Sequence, residues 1–301
     1  YAPCINVSTI SINAESNSNV TRLNNVLPNS INEFGPISEG KIKLDYKIFN
    51  RNWIEDDGWL SDKVASVGTN QSSGENITSS FNVDFTLSAV NIAAIGSNYE
   101  NFYIYWKATD SANNISYEVQ EVKIIDNNPP ILTVYDVSGI VAGNSNTKEL
   151  SITLPDLTDN LSNEFGLQSA GKIKLDYKIF NHTWIEDNGW SSDKYANVGT
   201  NPDGSYQYSG VNITSDFNVK FILSAANIQI DSSGNGYESF YIYWKATDSA
   251  NNYSYEVQDV EITDDTAPEL SVTDVSGYAE SDSNTKELTI PLPDLTDNLS
   301  N

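Results

Sequence analysis

Alternation with a period of two dominates the chain. In 41–49, Ile42, Leu44, Tyr46 and Ile48 share one face, and Lys41, Lys43, Asp45 and Lys47 share the other. Phe81, Val83, Phe85 and Leu87 alternate with Asn82, Asp84 and Thr86. Phe102, Ile104, Trp106 and Ala108 alternate with Tyr103, Tyr105, Lys107 and Thr109. Successive side chains of a strand point to opposite faces, so each run predicts a strand with one buried face. Leu150, Ile152 and Leu154 predict another strand, and 131–137 a further one. In 117–124 the inward positions change phase, from Tyr117 and Val119 to Val122 and Ile124, which predicts a β-bulge. No segment carries a sustained helical stripe. Clusters of Gly, Asn, Asp and Ser separate the runs, and Asp57–Gly58 and Asn188–Gly189 are hairpin signals. About seven short strands per unit, all joined by turns, predict an all-β fold of antiparallel β-sandwiches.

The pattern repeats. KIKLDYKIFN at 41–50 recurs at 172–181, FYIYWKATDSANN at 102–114 recurs at 240–252, and LPDLTDNLSN at 154–163 recurs at 292–301. The first offset is 131 and the other two are 138, with the difference placed in two loops, around 69–80 versus 200–216 and around 93–99 versus 229–237. Surface loops tolerate such insertions. The expected organisation is one unit over 1–128 with a divergent first strand, a second over 129–266, and the start of a third over 267–301. The third match predicts that the natural protein continues. A first residue of Tyr1 in a chain without Met predicts a processed chain or a fragment.

Charge narrows the function. Among 301 residues, 16 are Lys or Arg and 41 are Asp or Glu, for a formal net charge of -25. Phosphate recognition needs clustered cations, so nucleic acid is excluded as a partner, as is an anionic membrane surface. An acidic surface attracts divalent cations. No stretch approaches the roughly 18 apolar residues of a membrane span. One His and one Cys remove most metalloenzyme and nucleophile chemistry. His182 stands opposite Arg51 of the first unit with no nucleophile or metal set in view, and the reading is that the protein is not an enzyme. Cys4 has no partner for an intrachain disulfide.

The unit junction resembles that of bacterial immunoglobulin-like repeats, including the HYR-like and cadherin-like modules of large surface adhesins and fibres. The residues that carry the resemblance are Ala108, Asp110, Ala112 and Asn114, then Asp126, Pro129 and Pro130. In the second unit they are Ala246, Asp248, Ala250 and Asn252, then Asp264, Asp265 and Pro268. The KLDYKIF segment followed by Trp and Gly-Trp is similar to the third strand and hairpin of such modules. Asn113 and Asn251 depart from the family, which has Gly there. The resemblance implies tandem immunoglobulin-like β-sandwiches on a cell surface, acting as an extracellular stalk, adhesin or fibre, with neighbouring repeats or like subunits as partners and a surface glycan or protein as ligand.

Candidate chemistry is concentrated in acidic turns. Asp110, Asp126 and Asp136 are expected to meet at the first junction, with Asp248, Asp264, Asp265 and Asp274 as counterparts before the third unit. Converging carboxylate and amide oxygens suit Ca²⁺, which takes six to eight oxygen ligands. The competing reading is turn chemistry alone, since Asp and Asn bond their own backbone in turns. DLTDN at 156–160 and 294–298 forms a second acidic cluster, read first as a turn. Trp53, Trp59, Trp184 and Trp190 flank the hairpins and offer either a sugar platform or a sandwich cover; Trp106 and Trp244 are expected in the core. Glycosylation sequons begin at Asn6, Asn19, Asn70, Asn76, Asn114, Asn160, Asn181, Asn212, Asn252 and Asn298. Two further classes stay open: a self-assembling filament subunit using strand complementation, and a carbohydrate-binding module.

Overall fold

The computed structural model describes residues 1–30, 32–50, 59, 67, 72–181, 190, 195–279, 281–282 and 284–299. Expectations for Arg51, Trp53, Asp57–Gly58, Asn70, His182, Trp184 and Asn188–Gly189 lie outside them.

The first unit has a five-stranded sheet ordered Ile10–Asn13, Ile115–Ile125, Tyr99–Thr109, Lys43–Phe49 and Ser73–Gly74. The first pair is parallel and the others antiparallel. Val20–Val26 pairs with Phe81–Thr86, and Ile5–Asn6 pairs with Asn29–Ser30. The second unit repeats this arrangement. Val137–Ile140 lies parallel to Tyr253–Asp264, followed by Gly236–Thr247, Lys174–Phe180 and Ser209–Gly210. Its other strand pairs are Thr147–Ile152 with Phe217–Ile222, and Ile131–Thr133 with Asp156–Thr158. Among the described residues of the third stretch, Glu269–Ser271 pairs with Asp294–Thr296.

In each unit the opening segment starts against one sheet and crosses to run parallel beside the last strand of the other. This topology is that of all-β, tandem immunoglobulin-like sandwiches. It also corrects the single strand expected over 131–137, which is two strands, Ile131–Thr133 and Val137–Ile140, belonging to different sheets.

Alternation places the core as expected for the strands around Leu44, Val83 and Ile104. Leu44, Ile48, Val83, Phe85, Ile104, Trp106 and Ala108 are fully buried, and Leu175, Ile179, Val219, Phe221, Ile242, Trp244 and Ala246 nearly repeat them. The two sets form separate apolar clusters. Phe49 and Tyr105, with Phe180 and Tyr243, are also buried although they lie on the face opposite Ile48 and Ile104. They pack edge to face at 5.2 Å and 5.4 Å. Both faces of this sheet therefore carry buried aromatics, and simple alternation underestimates its burial.

The bulge expected in 117–124 is absent: Ile115–Ile125 pairs with Tyr99–Thr109 residue for residue. The inward position between Tyr117 and Val122 is polar. Gln120 is buried, accepts from Trp106 Nε1 at 3.1 Å, and donates through Nε2 to Ser8 O. Gln258 does the same for Trp244 Nε1 and Tyr135 O. A buried indole N–H needs an acceptor, and glutamine supplies it while tying down the crossing segment. The register shift that does occur lies between Leu23 and Val26.

The α-helix Ala89–Ile95 escapes the periodicity argument because it is only seven residues long. Ser88 Oγ caps Asn91 N, and Gly96 closes it at φ 69°. Glu100, buried on the next strand, accepts from Ser88 N and Asn91 Nδ2 and so fixes the turn. Glu238 accepts from Ser224 N and Asn227 Nδ2 in the second unit, where the helix is replaced by the 3-10 turn Ala225–Asn227.

Candidate functional site

The turn DSANN is built twice with the same hydrogen bonds. Asp110 Oδ1 accepts from Ala112 N and Asn114 N at 2.9 and 2.8 Å, and Oδ2 accepts from Asn114 Nδ2 at 2.8 Å. Asp248 accepts from Ala250 N, Asn252 N and Asn252 Nδ2 at 2.9, 2.7 and 2.9 Å. Asn113 and Asn251 take left-handed φ values of 61° and 65°. That explains the departure from Gly, since Asn is the residue other than Gly that tolerates this conformation best.

The two turns differ in what covers them. Asp110 borders Tyr1, whose carbonyl accepts from Asn114 Nδ2. Asn252 Nδ2 instead reaches Asp126 O and Asn128 O of the segment joining the two units. Ala112 and Ser111 are exposed, whereas Ala250 and Ser249 are each 5% exposed and Asp248 is 1% exposed.

Asp126, fully buried, is the centre of this junction. Its Oδ1 accepts from Asn128 N at 3.1 Å and from Asn160 Nδ2 at 3.2 Å. Asp159 Oδ2 accepts from Leu161 N and Ser162 N, so DLTDN does make the expected Asx turn. It also belongs to the junction, which the sequence reading treated as separate. Within the second unit, Gln168 Nε2 donates to Asp248 O and ties its own turn to DSANN.

Electrostatics follow from burial. The Asp248 carboxyl is pushed up to about 7, first by desolvation and then by the charges of Asp126 and Asp159. Burial also raises Asp126, and it raises Asp159, to which the charge of Asp126 adds. Asp110, with the same local bonds but no cover, is held below the ordinary carboxylate range by Asn114. Three oxygens at the junction, Asp126 Oδ2, Asp159 Oδ1 and Asn160 Oδ1, are buried without a donor. A buried acceptor left unpaired is costly, and here three stand among three carboxylates.

The grouping expected from sequence is therefore corrected. Asp126 and Asp248 come together with Asp159, Asn160 and Asn252, while Asp110 lies beside Tyr1 and Asp136 accepts from Asp259 N. A turn carboxylate meets the linker before its own unit, not the linker after it, which sequence order conceals. The second linker repeats half of the arrangement. Asp264 Oδ1 accepts from Thr266 N and Asn298 Nδ2, whereas Asp265 and Asp274 are exposed.

Among the described residues no three His, Cys, Asp or Glu side chains form a ready-made metal cage. The donor set nonetheless fits a hard cation, because all its unpaired atoms are oxygens, mixed between carboxylate and amide.

Asn160 is a further correction. Its side chain is buried and donates to Asp126, so this sequon is closed to a glycan in the folded chain. Asn6, Asn19, Asn76 and Asn114 are exposed; Asn181, Asn212, Asn252 and Asn298 are half-buried. Trp59 has Lys47 and Lys107 at 5.5 and 5.3 Å from its ring, and Trp190 has Lys178 and Lys245 at 5.1 and 5.6 Å. Both indoles are thus engaged by the chain's own ammonium groups. Trp106 and Trp244 are in the core.

No family model matches the chain, and no curated protein matches it. Solved structures do. The titin domains z1z2 in complex with telethonin are 8% identical, with a TM-score of 0.32 over 88% of this chain and 98% of that one. Sidekick-1 immunoglobulin domains 1–4 are 13% identical, with a TM-score of 0.34 over 87% and 49%. Mouse cadherin-23 EC22-24 is 12% identical, with a TM-score of 0.29 over 100% and 79%. Among the described residues no helix is long and apolar enough to cross a membrane.

Proposed function

We propose that the chain is a non-enzymatic, extracellular array of immunoglobulin-like modules, with one module over 1–128, a second over 129–266 and the start of a third at 267–301. Its work is to extend and space an adhesive surface, with neighbouring modules as its immediate partners. The observation that carries this reading is the junction at Asp126, where the linker after one module is bound by two turns of the next. Such contacts couple modules along an axis, which a stalk requires and an isolated binding domain does not.

A divalent cation, calcium by its preference for oxygen, completes the junction. Asp126, Asp159 and Asp248 would hold it together with the Asn160 carbonyl oxygen. The ion would offset carboxylate repulsion and supply the missing partners of the buried oxygens. Asp264 and Asn298 would begin the same site before the third module. The exposed sequons at Asn6, Asn19, Asn76 and Asn114 are the candidate glycan sites.

Thermal unfolding in calcium against chelator tests the cation. A midpoint several degrees higher in calcium, absent in Asp126→Ala, is expected; equal midpoints reject the ion. Beads coated with the chain test adhesion, with retention on cells or matrix above that of albumin-coated beads expected and equal retention rejecting an adhesive role.

A further inference from the structure

We propose that the first pole of the second module is a docking surface for the last pole of a like module, and that it holds the two together without any cation. This deepens the array reading and rests on it, but not on the calcium reading. Three features carry it, none of them a charge pair.

Ala250, from the DSANN turn, is counted within the apolar core of the first unit, and Leu161, from the DLTDN turn, packs against that same core. The second module therefore inserts two apolar side chains into the base of the first. Gly171 supplies the second feature. It closes the turn Gln168–Ala170 at φ 73°, directly under the helix Ala89–Ile95 of the first module. A Cβ built there would stand 2.9 Å from Val90 Cγ2, 3.0 Å from Val90 N and 3.1 Å from Ala89 Cβ. Such close approach of backbone to helix is open only to glycine. The third feature is amide bonding across the joint: Asn252 Nδ2 donates to Asp126 O and Asn128 O.

The first module carries an uncovered version of the same surface. Gly40 closes the turn Ile37–Glu39 at φ 74°, yet a Cβ there meets nothing within 4 Å. Ala112 is exposed where Ala250 is buried. Ser30 pairs with Ile5 as Leu157 pairs with Leu132, and four fewer residues then separate that strand from the shared NEFG, so the first unit lacks counterparts of both Asp159 and Leu161. The turn that carries the apolar insertion and the junction carboxylate is thus present at the junction and shortened in the first module. An apolar insertion excludes water and gains from burial whatever the ionic conditions, whereas charge pairing does not.

The test is single-molecule energy transfer on the full chain, labelled at Ser79→Cys and Asp203→Cys in a Cys4→Ser background. In chelator the unmodified junction is expected to keep the same narrow efficiency distribution that it has in calcium. Leu161→Ala with Gly171→Ala should broaden it at least twofold in chelator. Gly40→Ala carries the same backbone strain without the contact and should leave it unchanged, which separates undocking from unfolding. A wild-type distribution that broadens in chelator to the width of the double variant overturns the proposal. So does a double variant as narrow as wild type. Calcium titration by calorimetry is read separately: no heat with a narrow distribution removes the calcium reading alone and leaves the docking intact.

Discussion

Asp110 and Asp248 share one turn and one set of local hydrogen bonds, so substituting each by Asn isolates what the junction does. Without divalent cations, Asp248 is raised from 3.8 to about 7, and its folded value exceeds its unfolded one. The sign follows from proton linkage. Stability attributable to this group is fully present below the unfolded value and is lost as pH rises through 7. At 1.36 kcal/mol per unit, a rise of about three units removes about 4 kcal/mol at alkaline pH. Asp248→Asn abolishes that loss but gives up the bond from Asn252 Nδ2 to Oδ2, worth about 1 kcal/mol. In chelator at pH 8 the variant should therefore be more stable by about 3 kcal/mol, or roughly 6–12 °C in midpoint for a unit of this size. Between pH 5 and 8.5 its midpoint should be nearly flat where that of wild type falls. Asp126 and Asp159 titrate with Asp248, so the observed midpoints belong to the cluster. In calcium the sign should reverse, because Asn removes a ligand charge. Asp110→Asn should destabilise slightly, because Asp110 is held low and its charged form is the bonded one. Scanning calorimetry from pH 5 to 8.5, in calcium and in chelator, reads all of this. Equal effects of the two substitutions, or an Asp248 variant less stable than wild type at pH 8 in chelator, would refute the burial argument.

Gln258→Leu should strand Trp244 Nε1 in the core and release Tyr135, at about 2–3 kcal/mol, and Gln120→Leu should do the same to Trp106; urea unfolding followed by tryptophan fluorescence measures both. Gly210→Ala would drive a Cβ into Tyr177 Cε1 and force the ring aside, at about 1–3 kcal/mol, read as a lower urea midpoint. Glu238→Ala should free Ser224 N and Asn227 Nδ2 and speed hydrogen exchange through 224–230, with little change in 172–181.

Strand positions were legible wherever a run was long enough to alternate and its outward face stayed polar. Residues 43–48 and their copy 174–179 satisfy this, and the repeat itself identified equivalent strands before any geometry. The failures share a cause, which is that alternation reports one face and local order only. Phe49 and Tyr105 are buried on the face that should be open, and Gln120 reads as a phase error because the partners that let it be buried, Ser8 O and Trp106 Nε1, come from other strands and loops. Ala89–Ile95 is too short to show a helical period, although Ser88 and Gly96 mark both its ends.

The site was half legible for a related reason. Asp126 and Asp248 stood out as acidic turn residues, but nothing in their spacing says that the turn of the second unit closes over the linker of the first. That follows from topology: the turn after Gly236–Thr247 lies at the pole where its own module begins, because that strand runs antiparallel to Tyr253–Asp264 and Lys174–Phe180. The preceding linker must reach the same pole to enter the module. The DLTDN turn joins it there, since Asp156–Thr158 pairs with the entering strand Ile131–Thr133. Any tandem chain of this fold with acidic residues at these places would bury carboxylates at its joints. In the first module that turn is four residues shorter and has no counterpart of Asp159. The divergence of the opening residues, read from sequence only as a poor repeat match, thus coincides with the loss of the turn that carries a joint carboxylate.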